Sequence, residues 1–308
     1  LEITRDLNAI SNDFLSRDLL PTAAMTANNN FLAANLPNPF RGLTPVSAPN
    51  LNNAANRSRS ALLRPFPHFG ALNTTTNQGY SWYHSMQAQF ERRFSKGFTL
   101  QGSYTFSKFM EAAAYLNAAD AMPVEVISDF DIPHRVVASG IWEIPVGKGR
   151  AFGSNMHPVA NAIAGGWQVS AIYTMQSGAP IGWGNIPFAG DINDVKVDNP
   201  VRTRWFNTDA GFIKNQILQS NIRYFPLRLP FLRVMGVNNW DTSLIKNTRF
   251  GTDGRYSVQF RAEFLNTLNR AQMPAPNTDP RNVLFGESRA SNQANYPRRI
   301  QLTAKFIF

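Results

Sequence analysis

The chain has no cysteine, few charged residues and no long apolar run. The lack of cysteine excludes a disulfide scaffold, a zinc ribbon and thiol catalysis. No stretch of about 20 residues is predominantly apolar, which excludes transmembrane helices. Charged side chains make up 16% of the 308 residues, against about 25% in a typical soluble protein. A charged surface is therefore not what keeps this chain in its solvent.

The composition that remains is apolar and aromatic. Hydrophobic residues reach 43% and aromatic residues 12%, including 23 phenylalanines, which argues against a disordered chain. The formal net charge of +10 indicates a polyanionic partner, such as nucleic acid or lipid phosphates, without choosing between them. Because the sequence begins at Leu1 and has no basic segment followed by an apolar one, we expect a fragment or a processed product.

Apolar and polar residues alternate from Ser85 to Phe94 and again from Phe98 to Ser107. This period of two predicts β-strands, since successive side chains of a strand point to opposite faces. The residues between the two strands, Ser95–Gly97, are expected to form a three-residue hairpin turn with glycine available for a left-handed conformation. The same pattern recurs in five more segments, Arg135–Ile144, Trp167–Gln176, Trp240–Phe250, Tyr256–Phe264 and Ile300–Phe308.

The connections between these strands alternate in length. Short or intermediate connections cover 95–97, 145–165 and 251–254, and long ones cover 108–133, 177–239 and 266–297. Strands of about 9 to 11 residues with short turns on one side and long loops on the other are typical of an outer-membrane barrel. We therefore predict an all-β fold, the C-terminal part of a transmembrane antiparallel β-barrel with about seven or eight strands and long extracellular loops. A soluble β-sandwich is the alternative, since its inner faces alternate equally well.

A series of short motifs follows in an order that resembles one family. They are Tyr-His-Ser-Met-Gln at 83–87, Glu-Arg-Arg-Phe-Ser at 91–95, Ser-Tyr-Thr-Phe-Ser-Lys at 103–108, Asp-Ile-Pro-His-Arg at 131–135, Pro-Val-Gly-Lys-Gly-Arg at 145–150 and Gln-Phe-Arg-Ala-Glu-Phe-Leu-Asn at 259–266, preceded by Leu-Leu-Arg-Pro-Phe-Pro-His-Phe-Gly at 62–70. In this order they resemble the C-terminal barrel half of TonB-dependent receptors. The likeness is greatest to the Oar-like branch, which carries a carboxypeptidase-regulatory-like domain and is abundant in Acidobacteria.

The resemblance implies a receptor and transporter in the outer membrane of a Gram-negative bacterium that binds and imports an unknown solute and is not an enzyme. Family members have a plug domain, a TonB box and a barrel of about 22 strands; neither plug nor TonB box is visible in this sequence. The implied partners are outer-membrane lipid and lipopolysaccharide, the barrel assembly machinery, TonB through a plug domain absent from this chain, and the solute, with no nucleic acid. Phe306 and Phe308 resemble the C-terminal signal for barrel assembly.

Two regions are expected. Residues 1–79 lack sustained alternation and are predicted to be a long extracellular loop segment that follows an upstream strand, and residues 80–308 hold the barrel strands and their loops. We expect the first region to contain short helical turns between Leu7 and Leu19. Its packing is expected to come from four apolar side chains, Leu62, Leu63, Phe66 and Phe69.

The polar faces of the predicted strands carry the candidate site residues. We expect these side chains to point into the barrel lumen. They are Arg93, Gln101, Arg135, Glu143, Arg261, Glu263 and Lys305. Mutual pairing and hydration of a wet interior is one role for them, and contact with a plug domain or a passing solute is the other.

The sequence contains no catalytic or metal-binding motif. Its four histidines have no paired spacing, so no cofactor and no metal is predicted. The acids of the 108–133 loop either contact a cationic ligand or are solvated. The basic aromatic segment Arg223–Arg233 either stacks on sugars or bases or packs against other loops or lipopolysaccharide phosphates. A small passive outer-membrane barrel or porin, and a secreted carbohydrate-binding β-sandwich, are the alternative functions.

Overall fold

The computed structural model describes residues 1–18, 22–43, 52–214, 220–251, 255–289, 291 and 293–308. The N-terminal region consists of short elements. They are β1 (Ile3–Asp6), α1 (Ala23–Ala33), β2 (Asn35–Pro37), β3 (Asn56–Ser58), α2 (Arg59–Leu62) and β4 (Asn73–Thr76). Strand β1 pairs with β4, and β2 pairs with β3.

Longer strands begin at Tyr80. The remaining elements are β5 (Tyr80–Ser95), β6 (Phe98–Ala112), β7 (Val126–Ile127), β8 (His134–Glu143), α3 (Pro158–Ala164), β9 (Trp167–Gln176), β10 (Pro180–Gly182), β11 (Arg228–Arg233), β12 (Val237–Phe250), β13 (Tyr256–Leu265) and β14 (Arg299–Ile307). No described helix is long and apolar enough to cross a membrane.

One antiparallel sheet dominates the structure. Its strands follow the order β5-β6-β8-β9-β12-β13-β14, and β7 pairs with the end of β6 as an eighth strand. All seven predicted strands are therefore confirmed, although β6 continues to Ala112 and β12 already begins at Val237. The other sheets of the described chain are two-stranded ribbons. Because a sandwich needs two large sheets packed face to face, the β-sandwich alternative is wrong.

The turn between β5 and β6 differs from the prediction. Ser95 pairs with Phe98, so the turn has two residues, Lys96 and Gly97, and not three. Both have positive φ, 54° and 78°, as in the type I′ turn whose twist matches that of the flanking strands. Glycine adopts this conformation without steric cost, and Lys96 is one of the few non-glycine residues here that do so. The predicted turn at 251–254 lies outside the described residues except for Gly251.

The strand register separates the side chains of the sheet into two faces. One face, called the apolar face below, carries the residues predicted to contact lipid, namely Phe90, Leu100, Tyr104, Phe260, Leu302 and Phe306. Phe90, Phe260 and Phe306 are all exposed there. A large exposed apolar surface of this kind marks a site of contact with a membrane or another protein. The opposite face, called the polar face, is interrupted by three isoleucines, Ile141, Ile172 and Ile245.

The cations of the apolar face lie near its two rims. At the rim with the short turns, the Arg92 guanidinium lies over the Phe98 ring, and Lys246 donates a hydrogen bond to the Gly165 carbonyl. At the rim with the long loops, the Lys108 ammonium lies over the Trp82 ring. Long cationic side chains behave in this way at membrane interfaces, where the stem stays in apolar surroundings and the charge reaches water.

The N-terminal region packs differently from the prediction. Phe66 and Phe69 are exposed, and the segment that contains them is held by Asn8, whose side chain is fully buried. The Asn8 amide donates to the carbonyls of Phe66, Phe69 and Gly70, and its oxygen accepts from the Phe66 N–H at 2.7 Å. The only described helical residues between Leu7 and residue 18 form a short 3₁₀ turn at Asn12–Phe14; Leu19 itself lies outside the described residues.

We predict that charge at position 260 impairs membrane assembly. Phe260 lies on the apolar face of β13 between Ala304 and Lys246, so an arginine there places a second cation beside Lys246 on a face where arginine costs about 2 to 4 kcal/mol at the midplane and less towards the rims. Phe260→Arg should therefore lower the amount of folded protein recovered from outer membranes, measured by heat-modifiable migration. Gln259→Arg, at the same depth on the polar face, is the matched control. Equal recovery of the two variants would contradict the assignment of the faces.

Candidate functional site

The long connections at one rim of the sheet form a folded layer with its own apolar core. This layer, called the loop layer below, consists of the described residues of the 177–239 connection and the part of the 266–297 connection around Phe285. Its core is built from aromatic residues together with aliphatic residues of β10 and β11. The buried aromatic members are Trp183, Trp205, Phe206, Phe212, Phe225 and Phe285. The Trp183 ring stacks on Phe212 and meets Phe206 and Phe225 edge to face, with centroids 5.0 to 5.6 Å apart. The 177–239 connection is therefore a packed structure and not an open loop.

Arg228 and Arg233 of β11 attach the loop layer to the ends of the barrel strands. The Arg228 guanidinium binds Asp129 with two nitrogens and Glu111 at 3.0 Å, with its side chain only 14% exposed. Arg233 donates to the Asp131 carboxylate at 2.6 Å. That carboxylate is 1% exposed and also accepts from the Phe109 N–H at 2.6 Å. Bidentate arginine–carboxylate contacts are geometrically specific, so they fix the position of β11 above the sheet.

The acids of the 108–133 loop are all engaged by the protein itself. Besides the three that bind arginine, Asp120 accepts hydrogen bonds from Asn12 and Asn117, and Glu125 accepts from the Tyr80 hydroxyl at 3.0 Å. The three acids that bind arginine are therefore not free to bind a cationic ligand, whereas Glu125 is exposed and pairs with no cation among the described residues. These acids connect the loop layer and the N-terminal region to the sheet.

The basic aromatic segment 223–233 packs against other loops, as one of its two interpretations predicted. Arg223 donates to the carbonyls of Trp183, Phe225 and Pro226, and burial lowers the pKa of its guanidinium below the usual range. Phe225 is buried in the aromatic core, whereas Tyr224 is exposed. The arginines of this segment are therefore occupied, and Tyr224 is its accessible aromatic ring.

A cavity of about 600 Å³ lies where the N-terminal region meets the loop layer. Small-molecule sites have volumes of about 300 to 1,000 Å³. The cavity is lined by Asp18, Ile186, Pro187, Phe188, Gly190, Asp191, Ile192, Asn221, Ile222, Tyr224, Phe225 and Pro226. The N-terminal region is held beside it by backbone hydrogen bonds, from Ser16 N–H to the Ser220 carbonyl and from Ile222 N–H to the Ser16 carbonyl.

The described part of the chain offers no metal-binding group. No group of three or more histidine or acidic side chains there is arranged to hold a metal ion. Asp191 instead begins a 3₁₀ turn at Ile192–Val195, where its carboxylate accepts from the Asn193 N–H at 2.8 Å. His134 contacts the Tyr104 hydroxyl at 2.9 Å.

Six of the seven predicted lumen residues lie on the polar face by strand register, and Arg93 has no register partner but lies 3.9 Å from Glu91 of that face. The six are Gln101, Arg135, Glu143, Arg261, Glu263 and Lys305. Arg93 falls in the irregular stretch between Arg92 and Ser95, where the ladder shifts register, and its side chain is 93% exposed.

Two of these polar-face acids form ion pairs. Glu143 binds Arg150 at 2.9 Å and accepts from Gln168 at 3.0 Å, and Glu263 lies 3.3 Å from Arg261. Pairing between side chains therefore accounts for Glu143, Arg261 and Glu263 among the predicted lumen residues. The sequence did not predict that Asp18 and Asn221 line one cavity, because they lie about two hundred positions apart and no local pattern joins them.

Comparisons with known proteins agree with the sheet and its long strands. A family model described as "Outer membrane beta barrel domain" matches residues 23–301. Among solved structures, the chain is similar to the outer membrane transporter YddB from Escherichia coli, with 12% identity and a TM-score of 0.39. That match covers 77% of this chain and 26% of the YddB chain. The search of curated proteins gave no match.

We predict that breaking the Arg233–Asp131 pair loosens the loop layer. Arg233→Met leaves the buried Asp131 carboxylate without its cation, which costs about 3 to 5 kcal/mol. Protease cleavage within residues 177–236 of the folded protein should become faster. Arg281→Met, which removes an exposed pair with Asp279, should leave the cleavage rate nearly unchanged. Adding Asp131→Asn to Arg233→Met should restore part of the resistance, and a double variant as labile as the single one would contradict this account.

Proposed function

Since the chain belongs to the outer membrane beta barrel domain family, we propose that it forms part of a TonB-dependent receptor of the Gram-negative outer membrane. In this proposal the protein binds a solute and imports it without catalysing a reaction. The apolar face contacts lipid, the polar face lines a wet lumen, and the loop layer lies outside the cell. TonB would act through the plug domain of the receptor.

The observation that carries the proposal is the pair of free edges of the sheet. In the described chain no strand pairs with the outer edge of β5 or of β14. In lipid each unpaired backbone group costs several kcal/mol, so a spanning sheet must close. An antiparallel meander with seven long strands has its first and last strands running in the same direction. Antiparallel closure therefore needs an odd number of additional strands, which supports a wider barrel.

The loop layer supports selective uptake over passive flow. A water-filled porin needs an open path, whereas here the long connections share a buried aromatic core and are fixed to the strand ends by Arg228 and Arg233. A compact outer layer with its own cavity favours recognition of a solute before passage. The small passive barrel or porin remains the second candidate function, because the polar face by itself suits both.

The C-terminal strand is proposed to carry the contact with the barrel assembly machinery. Strand β14 ends at Ile307, and Phe308 follows it with its side chain 88% exposed. The rings of Phe306 and Phe308 have centroids 6.0 Å apart. An exposed aromatic pair at the end of an unpaired edge strand is suited to strand addition by a second protein.

We predict that the intact protein binds the purified periplasmic domain of TonB and does not conduct ions in planar lipid bilayers. Affinity capture measures the first property, and single-channel recording measures the second. A plugged receptor gives capture without steady conductance, because the plug fills the lumen. Steady open channels without capture would instead establish the porin and overturn the proposal. A known porin of the same membrane serves as the conductance control.

A further inference from the structure

The cavity between the N-terminal region and the loop layer differs in charge from the rest of the molecule. The chain has a formal net charge of +10, yet the residues that line this cavity include two carboxylates, those of Asp18 and Asp191, and no lysine or arginine. The charged side chains that line the cavity are therefore both acids.

These carboxylates are not consumed by ion pairs within the described chain, whose ion pairs all involve other acids. Asp18 is partly buried and accepts a hydrogen bond from the Thr22 hydroxyl at 2.6 Å. Asp191 is exposed and caps the turn that follows it. A carboxylate has two oxygens that accept about four hydrogen bonds, so both retain acceptor capacity.

A third acceptor lies in the same cavity. The amide nitrogen of Asn221 donates to the Ile222 carbonyl at 2.9 Å, but its Oδ1 atom is buried and has no hydrogen-bond partner among the described residues. A buried acceptor without a donor costs about 1 to 3 kcal/mol. Because this oxygen has almost no exposed surface, a ligand in the cavity reaches it only if the Asn221 side chain turns.

The remaining wall is apolar and aromatic. Phe188 meets Phe225 edge to face with ring centroids 5.2 Å apart, and Tyr224 exposes its ring at the edge of the layer. Aromatic faces attract cations as well as apolar groups. Two carboxylates with spare acceptor capacity and aromatic walls together select a ligand that is cationic, donates hydrogen bonds and has an apolar body.

We propose that this cavity binds an organic cation, a nitrogen-bearing molecule with an apolar or aromatic frame. That such cations are the imported solutes rests on the proposed function, whereas their binding in the cavity does not depend on it. Arg223 lies next to the cavity in sequence, but its guanidinium is held by three carbonyls of the loop layer and does not neutralise the acids.

The test uses two fluorescent dyes with the same xanthene ring system, cationic rhodamine 6G and anionic fluorescein. Binding to the intact protein, purified in detergent, is measured by fluorescence anisotropy. We expect saturable binding of rhodamine 6G, and binding of fluorescein weaker by about tenfold or more. The affinity for rhodamine 6G should fall as salt is added, because the acids are only partly buried.

Variants locate the binding site. Asp18→Asn and Asp191→Asn should each weaken rhodamine 6G binding by about threefold to tenfold, and together by more. Asparagine keeps the oxygen that accepts from Thr22 or from the Asn193 N–H, and it caps turns as well as aspartate does, so the fold should persist. Asp198→Asn is the matched control, since Asp198 is exposed in the same connection and does not line the cavity.

Three results would overturn the site: no saturable binding of rhodamine 6G, equal binding of fluorescein, or a double variant that binds as tightly as the original protein. Accumulation of rhodamine 6G in cells with and without TonB separates this proposal from the proposed function. Binding that depends on the two acids, with accumulation that does not depend on TonB, keeps the site and contradicts import. TonB-dependent accumulation that the double variant leaves unchanged contradicts the site and keeps import.

Discussion

The structure depends on one constraint: a sheet surrounded by lipid must pair all of its backbone hydrogen-bonding groups within itself. The continuous antiparallel ladder from β5 to β14 meets this constraint everywhere except at its two outer edges. Because the strands are long and their faces contact different surroundings, side chains alternate between an apolar and a polar set. The ladder also brings the ends of β6, β8 and β9 together at one rim, which is where the loop layer is attached.

The loop layer is held by charge pairs because it cannot be held by the ladder. Strand β11 pairs only with the short β10, so its position over the sheet rests on Arg228 with Glu111 and Asp129, and on Arg233 with Asp131. These contacts stabilise only while both partners are present, since a buried carboxylate without its cation is strongly unfavourable. The same contacts explain why Glu111, Asp129 and Asp131 are not available to a ligand.

The sequence predicts the strands of the ladder, which follow a local pattern, but not the contacts that hold the loop layer and the N-terminal region. Period-two alternation located all seven long strands and the polar-face set, because each strand separates two surroundings and the pattern is local. It did not predict the role of Asn8, the burial of Asp131 or the cavity, since these depend on partners far apart in the chain, such as Arg228 and Glu111, separated by 117 positions. Nor did it predict the irregular register at the end of β5, which leaves Arg93 without a strand partner.

Net charge is a poor guide to the local potential of this protein. The surplus of cations indicates a polyanionic partner, but Arg223, Arg228 and Arg233 of the loop layer are bound to carbonyls or carboxylates. Lys108 and Lys246 lie at the rims of the apolar face. Positive charge is thus used to fix loops and to position the sheet at the membrane surface. The cavity that these loops enclose keeps two acids and an unsatisfied amide oxygen, so the chemistry that it selects is opposite in sign to the chain as a whole.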